Sequence, residues 1–243
     1  MSKNDHMLSL RSVIVGAERP TRGPASLAQG VYGARGNLEL VACDAQDGLW
    51  VFWFNADWPS DPPAAPDVPP GTWSAGLHFA AGRSYTDAVI LQSTLGPDHL
   101  EVLALGQDGV LESWYWSPGP GFQRRAGDVA SSVSDFVAEH DSGTVWVSVE
   151  HGDGSVEHAV SDAAGYPDRI WRRSAGGPLL GTDLGARTLL RAAGVPADDV
   201  AVGTARQHRS TRNGGTIELT WRDAAGALRH LGIPAERTPR LRP

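Results

Sequence analysis

Four stretches of the chain repeat one pattern of hydrophobic and polar positions: an alternating apolar strand, a short polar turn closed by Gly, and a second alternating strand. The first runs Leu38-Glu39-Leu40-Val41-Ala42-Cys43, then Asp47-Gly48, then Leu49-Trp50-Val51-Phe52-Trp53. The second runs Leu100 to Leu105, Asp108-Gly109, and Val110 to Trp114; the third Val145 to Val149, Asp153-Gly154, and Ser155 to His158; the fourth Ile217 to Trp221, Ala225-Gly226, and Ala227 to His230. Asp-Gly supplies the positive φ that tight hairpins need. A short apolar strand precedes each hairpin, starting after Asp87, Asp135 and Asp199 in three cases, and an outer strand marked by Trp73, Phe122 and Trp171 follows the first three.

The fourth unit stops near Ile233 without an outer strand, and Leu8 to Val15 is the segment expected to supply it from the other end of the chain. The pattern therefore predicts an all-β fold, a β-propeller of four four-stranded blades closed by the N-terminal strand. One domain would span residues 1–243, with units near 25–75, 86–125, 134–173 and 199–233 plus 7–15. Two insertions interrupt the period. Residues 55–71, rich in Pro, Asp and Ala, predict an extended loop. Residues 178–198 predict a short helix with Asp183 as N-cap, Leu184 to Ala193 as body, Gly194 as C-cap and Pro196 beyond. A fifth, degenerate blade in that stretch is the rival count.

Composition fits this picture. Of 243 residues 41% are hydrophobic and 20% charged, enough for one core. Gly (29) and Pro (17) suit many turns, and nine Trp outnumber five Phe and four Tyr. The formal charge of -7 argues against a nucleic-acid footprint despite Arg237, Arg240 and Arg242 near the end. Lone Cys43 excludes an intramolecular disulfide and a cysteine zinc cluster. The Arg-for-Lys bias with abundant Ala, Gly and Pro suits a GC-rich, bacterial genome. Met7 to Val15 is interrupted by Ser9, Arg11 and Ser12 and reads as a strand, so a soluble, cytoplasmic protein is expected, with leaderless export as the other route and no membrane partner.

Candidate chemistry is sparse. HExxH, CxxC, Gly-x-Ser-x-Gly and Walker loops do not occur. If first strands line a central channel, Asp87 and Asp135 would gather with Asp199 at one mouth as acid-base groups or cation ligands; capping the strand entry is the commoner use. Glu139, His140, Glu150, His151 and His158 form the one dense acid and histidine cluster, its two pairs expected near one rim. No cofactor is required by these residues, calcium being the ion that rim carboxylates would accept. Trp50, Trp53, Trp114, Trp146 and Trp171 are available aromatic platforms, although core packing is the commoner use of a strand Trp, whereas Trp58 and Trp116 lie beside Pro59 and Pro118 at strand ends, where exposure is expected.

The first unit, from Gly36 through Trp53 and again at Gly71 to Ser74, resembles the repeat of bacterial propeller lectins of the fucose-binding, seven-bladed type. The second unit matches at Leu100 to Ala104, Asp108-Gly109 and Trp114, and the resemblance covers about two thirds of the chain. It implies a propeller that binds a glycan. Four units are too few for seven blades, so a smaller ring, or a partial ring completed by a second copy as a homodimer, is the alternative. Three functions follow: a lectin-like carbohydrate-binding module; an enzyme with one pocket at the propeller mouth acting on a small molecule by carboxylate and His chemistry; and a protein-interaction scaffold. The repeats diverge where a multivalent lectin would keep them equal, since the position of Glu39, Glu101 and Glu218 is Trp146 in the third unit.

Overall fold

In a computed structural model, described over residues 11–62, 67–92, 99–141, 143–162, 170–180, 184–201 and 203–237, the chain forms four four-stranded antiparallel sheets. The first holds β2 (Thr21–Gln29), β3 (Leu38–Asp44), β4 (Leu49–Phe54) and β5 (Leu77–Phe79). The second holds β6 (Tyr85–Gln92), β7 (Leu100–Gly106), β8 (Leu111–Ser117) and β9 (Gly121–Arg124). The third holds β10 (Val133–Asp141), β11 (Thr144–His151), β12 (Val156–Ser161) and β13 (Arg172–Arg173). In the fourth, β14 (Arg206–Ser210), β15 (Thr216–Arg222) and β16 (Leu228–Pro234) are joined by β1 (Val13–Ile14) from the other end of the chain.

The first residues thus serve as the missing outer strand: Val13 lies opposite His230, Ile14 opposite Arg229, and the Val15 amide donates to the Leu228 carbonyl at 2.9 Å. Leu8 to Leu10, expected in the same strand, lie outside the described residues, as do Asp183, Arg240 and Arg242. The expected closure is corrected in one respect, because the four sheets do not close into a ring. Helix α1 (Leu184–Ala192) lies within the second insertion, and Ala186, Leu189 and Leu190 cover the face of the fourth sheet that carries Ile217, Leu219, Leu231 and Ile233. Its apolar stripe occupies what another sheet would bury. Gly194 ends the helix at φ 83°, where a side chain would be strained.

The strand expected after Asp199 begins instead at Arg206, because Ala197–Asp199 forms a single 3₁₀ turn. Elsewhere the apolar runs are explained by burial on both faces. Leu38, Leu40 and Ala42 pack with Phe52, Val15 and Leu228 between the first and fourth sheets, while Val41 and Cys43 pack with Tyr85, Ala88 and Val102 between the first and second. Leu103, Leu105 and Leu111 meet Val133, Phe136 and Val147 between the second and third. First strands are stitched across sheets. The Ile90 amide donates to Ser26 Oγ, the Gln29 amide to His208 Nε2, and Thr220 Oγ1 to the Ala25 carbonyl. Among the described residues no helix is long and apolar enough to cross a membrane.

If α1 supplies the fourth sheet's second wall, Leu190→Ala should cost about 2–5 kcal/mol by the cavity it leaves. Leu179→Ala, at a side chain 93% exposed, should stay within about 0.5 kcal/mol. Urea denaturation of both variants checks the contrast.

Candidate functional site

A groove of about 460 Å³ opens where the chain's beginning meets the end of the first insertion, lined by Val13, Ile14, Gly16–Arg19 and Gly71–Ala75. Pairing of β1 with β16 places the first wall. The second wall is fixed by Trp73, whose backbone bridges Phe54, and by the Ser74 amide, which donates to the Trp53 carbonyl at 2.8 Å. The Trp73 ring packs 5.4 Å from Phe54 and edge-on to His230 at 5.2 Å, and its Nε1 is a buried donor with no partner among the described residues. Exposed Glu18, half-buried Arg19 and the Thr72 hydroxyl bring polar groups to the lip.

Behind Trp73 lies a buried polar network on the fourth sheet. Glu218 Oε1 accepts from Ser210 Oγ at 2.7 Å and Arg212 Nε at 2.9 Å, and Oε2 accepts from Arg212 Nη2 and His230 Nε2, each at 2.9 Å. Burial alone would raise this carboxyl, but the bonds and charges of His230 and Arg212 hold it at about 2. The guanidinium of Arg212 also lies 5.2 Å over the Phe54 ring. Removing a member would leave a buried charge unpaired, so the network braces the aromatic wall.

The equivalent carboxylates have different partners. Glu101 forms a buried ion pair with Arg125, 2.6 Å at its shortest. Glu39 takes only a hydrogen bond from Asn37 Nδ2, and burial pushes its carboxyl up to about 8, a rise that the Asn37 bond partly offsets. One repeat position thus holds an anion in the fourth sheet and a proton-bearing acid in the first.

Asp87 and Asp135 do approach each other. Both sit at β-bulges and accept from the amide of the following residue at 2.8 Å. Asp87 also binds Arg206 Nη2 at 3.0 Å; burial raises it to about 6, with Arg206 opposing and Asp135 adding to the rise. Asp199 does not join them, and its carboxylate accepts from the Ala224 amide at 3.4 Å. Glu139 with His140 and Glu150 with His151 are not at one rim: Glu139 faces Trp146 while Glu150 faces Asp135, so antiparallel pairing puts them about 13 Å apart along the strands. His151 lies near Glu157 at 3.6 Å, and His158 Nδ1 meets Ser148 Oγ at 2.7 Å. The three metal-type donors that come within 4.8 Å of one another are Asp44, Asp47 and His78, which sequence reasoning did not group. Hydrogen bonds already engage all three, including Asp44 Oδ2 from Trp50 Nε1 and His78 Nε2 with the Asp47 carbonyl.

Among the tryptophans, Trp58 is 54% exposed. Trp116 is half-buried at the sheet interface against Phe122, at 5.3 Å. Trp50 and Trp114 are half-buried against the sheet cores, Trp171 packs on the second and third sheets, and Trp146 is half-buried opposite Glu139 and Val160. Glu18, Arg19 and His230 carry no sequence signal as a group, because strand pairing between the chain's two ends brings them together. Trp73 was visible as an outer-strand marker and within the Gly71 to Ser74 stretch that resembles the lectin repeat.

No family model matches the chain, and no curated protein matches it. The solved structures to which it is similar include lectins. The chain is similar to the BP39L lectin of Burkholderia pseudomallei, with 14% identity and a TM-score of 0.42 over 85% of this chain and 54% of that one. It is also similar to the six-bladed β-propeller lectin of Aleuria aurantia (12%, 0.43, 82% and 54%) and to AofleA of Arthrobotrys oligospora (13%, 0.43, 93% and 58%). The chain spans just over half the length of these proteins.

Two carboxyls should titrate with opposite signs. The folded-state value of Glu39 is raised, so its penalty grows as pH rises from about 4.5 to about 8, and Glu39→Gln should gain stability over wild type across that window. Glu218 is depressed, so its contribution is present above about 4.5 and fades as pH falls towards about 2; Glu218→Gln should lose stability at neutral pH and converge with wild type in acid. Thermal unfolding at pH 3, 5, 7 and 9 separates the two.

Proposed function

We propose that the chain is a carbohydrate-binding module of four propeller-like blades, with a saccharide held in the groove against Trp73. The observation that carries this reading is the pairing of an aromatic wall with a polar lip. An indole meets the apolar C–H face of a pyranose, while the Glu18 carboxylate and the Thr72 hydroxyl oxygen offer acceptors and the Arg19 guanidinium offers donors to ring hydroxyls. A volume near 460 Å³ lies within the usual range for small-ligand pockets and suits one or two sugar rings.

Preorganisation supports the same reading. Trp73 is held between Phe54 and His230, and His230 is held by Glu218, so the wall does not have to be ordered when ligand arrives. The repeat-level resemblance drawn from the sequence is of the same kind. The enzyme reading gains no comparable support: the Asp87 carboxylate is occupied by Arg206, and the other acid and histidine pairs are spread along one sheet.

Isothermal titration against a panel of monosaccharides and short oligosaccharides should give saturable binding to at least one. Trp73→Ala should weaken it tenfold or more, and Arg19→Ala by a smaller factor, with circular dichroism unchanged. A panel that evokes no binding by the wild-type protein would sink the proposal.

A further inference from the structure

The first insertion carries a feature that neither the sheets nor the groove uses. Trp58, on the 55–71 loop, is 54% exposed, and the guanidinium of Arg35, from the loop between β2 and β3, stacks on one face of its ring, 3.5 Å from the centroid. Arg35 does not stack loosely. Its Nε and Nη2 donate to the two carboxylate oxygens of Asp61 at 2.5 and 3.2 Å, and Asp61 Oδ2 also accepts the Trp58 amide at 2.8 Å. One carboxylate therefore fixes both halves of the stack.

The residues beneath Arg35 and Trp58 are hydrogen-bonded in turn. The Arg35 amide donates to buried Asp57 at 3.0 Å, the Asp57 amide to Asn55 Oδ1 at 3.0 Å, and Asn55 Nδ2 to the Val68 carbonyl at 2.7 Å. Gly33 passes so near Asp57 that an added Cβ would lie 2.8 Å from its carboxylate. Ordering a chain segment costs conformational entropy, and a ring left half in water returns little of it through burial. The arrangement spends order on presenting an indole face rather than on hiding it.

We infer that the open face of Trp58 is a second saccharide-contact site, separate from the groove, on which one pyranose ring stacks by its apolar face. This rests on the carbohydrate-binding reading and shares no residue with the groove lining. The chemistry selects among ligand classes. The Arg35 charge is already met by Asp61, so the platform presents an ion pair rather than a lone cation to a ligand. A one-sided platform without a second wall does not enclose a fully apolar ring, but it suits a ring with one apolar and one hydroxylated face, whose outer side stays in water. Exposed Val31 and Tyr32 extend the surface on the Arg35 loop.

The test is saturation-transfer NMR with the methyl pyranosides of fucose, galactose, mannose and N-acetylglucosamine. It compares wild type, Trp58→Ala and the groove-lip double variant Glu18→Ala/Arg19→Ala, each checked for an unchanged melting temperature. The site predicts at least fivefold weaker binding of one pyranoside in Trp58→Ala, whether the lip variant keeps binding or loses it, and a partial loss in Asp61→Ala, which frees Arg35. Unchanged binding in Trp58→Ala overturns it; if the lip variant has then lost binding, the groove reading stands alone. No transfer to any pyranoside in the wild type overturns both.

Discussion

The fold depends on the seam between the first and fourth sheets, where β1 and the segment after it meet β16. Val15 is buried in the same cluster as Leu40, Phe52 and Leu228, and Arg222 donates from Nε to the Gly23 carbonyl at 2.9 Å and from Nη1 to Thr21 Oγ1 at 2.7 Å. These contacts span some two hundred residues of sequence, so their loop-closure entropy is met only when all four sheets are in place. The groove, the aromatic wall and the Glu218 network all belong to this seam.

Much of the architecture was legible because packing between sheets imposes a simple rule on each strand. A strand buried on both faces must be apolar nearly throughout, and a hairpin must turn through a residue that accepts positive φ, as Gly48, Gly109, Gly154 and Gly226 do at 76–84°. Those signals are local, and the hairpins lie where the repeats placed them. The helix from Leu184 was legible for the same reason, through its apolar stripe and Gly194. The start of β14 was not. Val200 to Val202 read as an apolar strand, yet Val200 is buried in the cluster that α1 forms with the fourth sheet, so its hydrophobicity serves the helix packing; Val202 lies outside the described residues.

The candidate site was less legible because it is made by residues distant in sequence. Nothing in the order of residues ties Glu18 to Thr72, or Arg212 to Phe54. The repeat comparison exposed a shared carboxylate at Glu39, Glu101 and Glu218 but not its three environments, since those depend on what the neighbouring loop supplies: Asn37, Arg125, or Arg212 with His230. At Glu39 the single Asn37 bond only partly offsets the rise that desolvation imposes, whereas at Glu218 the bonds from His230 and Arg212 outweigh it, so one repeat position has acquired unlike electrical characters without a change in fold.

The two-residue strand β1 ties the shape of the groove to the edge of the fourth sheet. Val13 and Ile14 hold to the fourth sheet through a short pairing and also form one wall of the groove. Parting of Val13 and Ile14 from β16 would remove that wall, so a molecule seated in the groove would stabilise the pairing by an amount that grows with its concentration relative to its Kd. In the carbohydrate-binding reading proposed above, occupancy of the groove and the hold of β1 on the fourth sheet are thermodynamically linked.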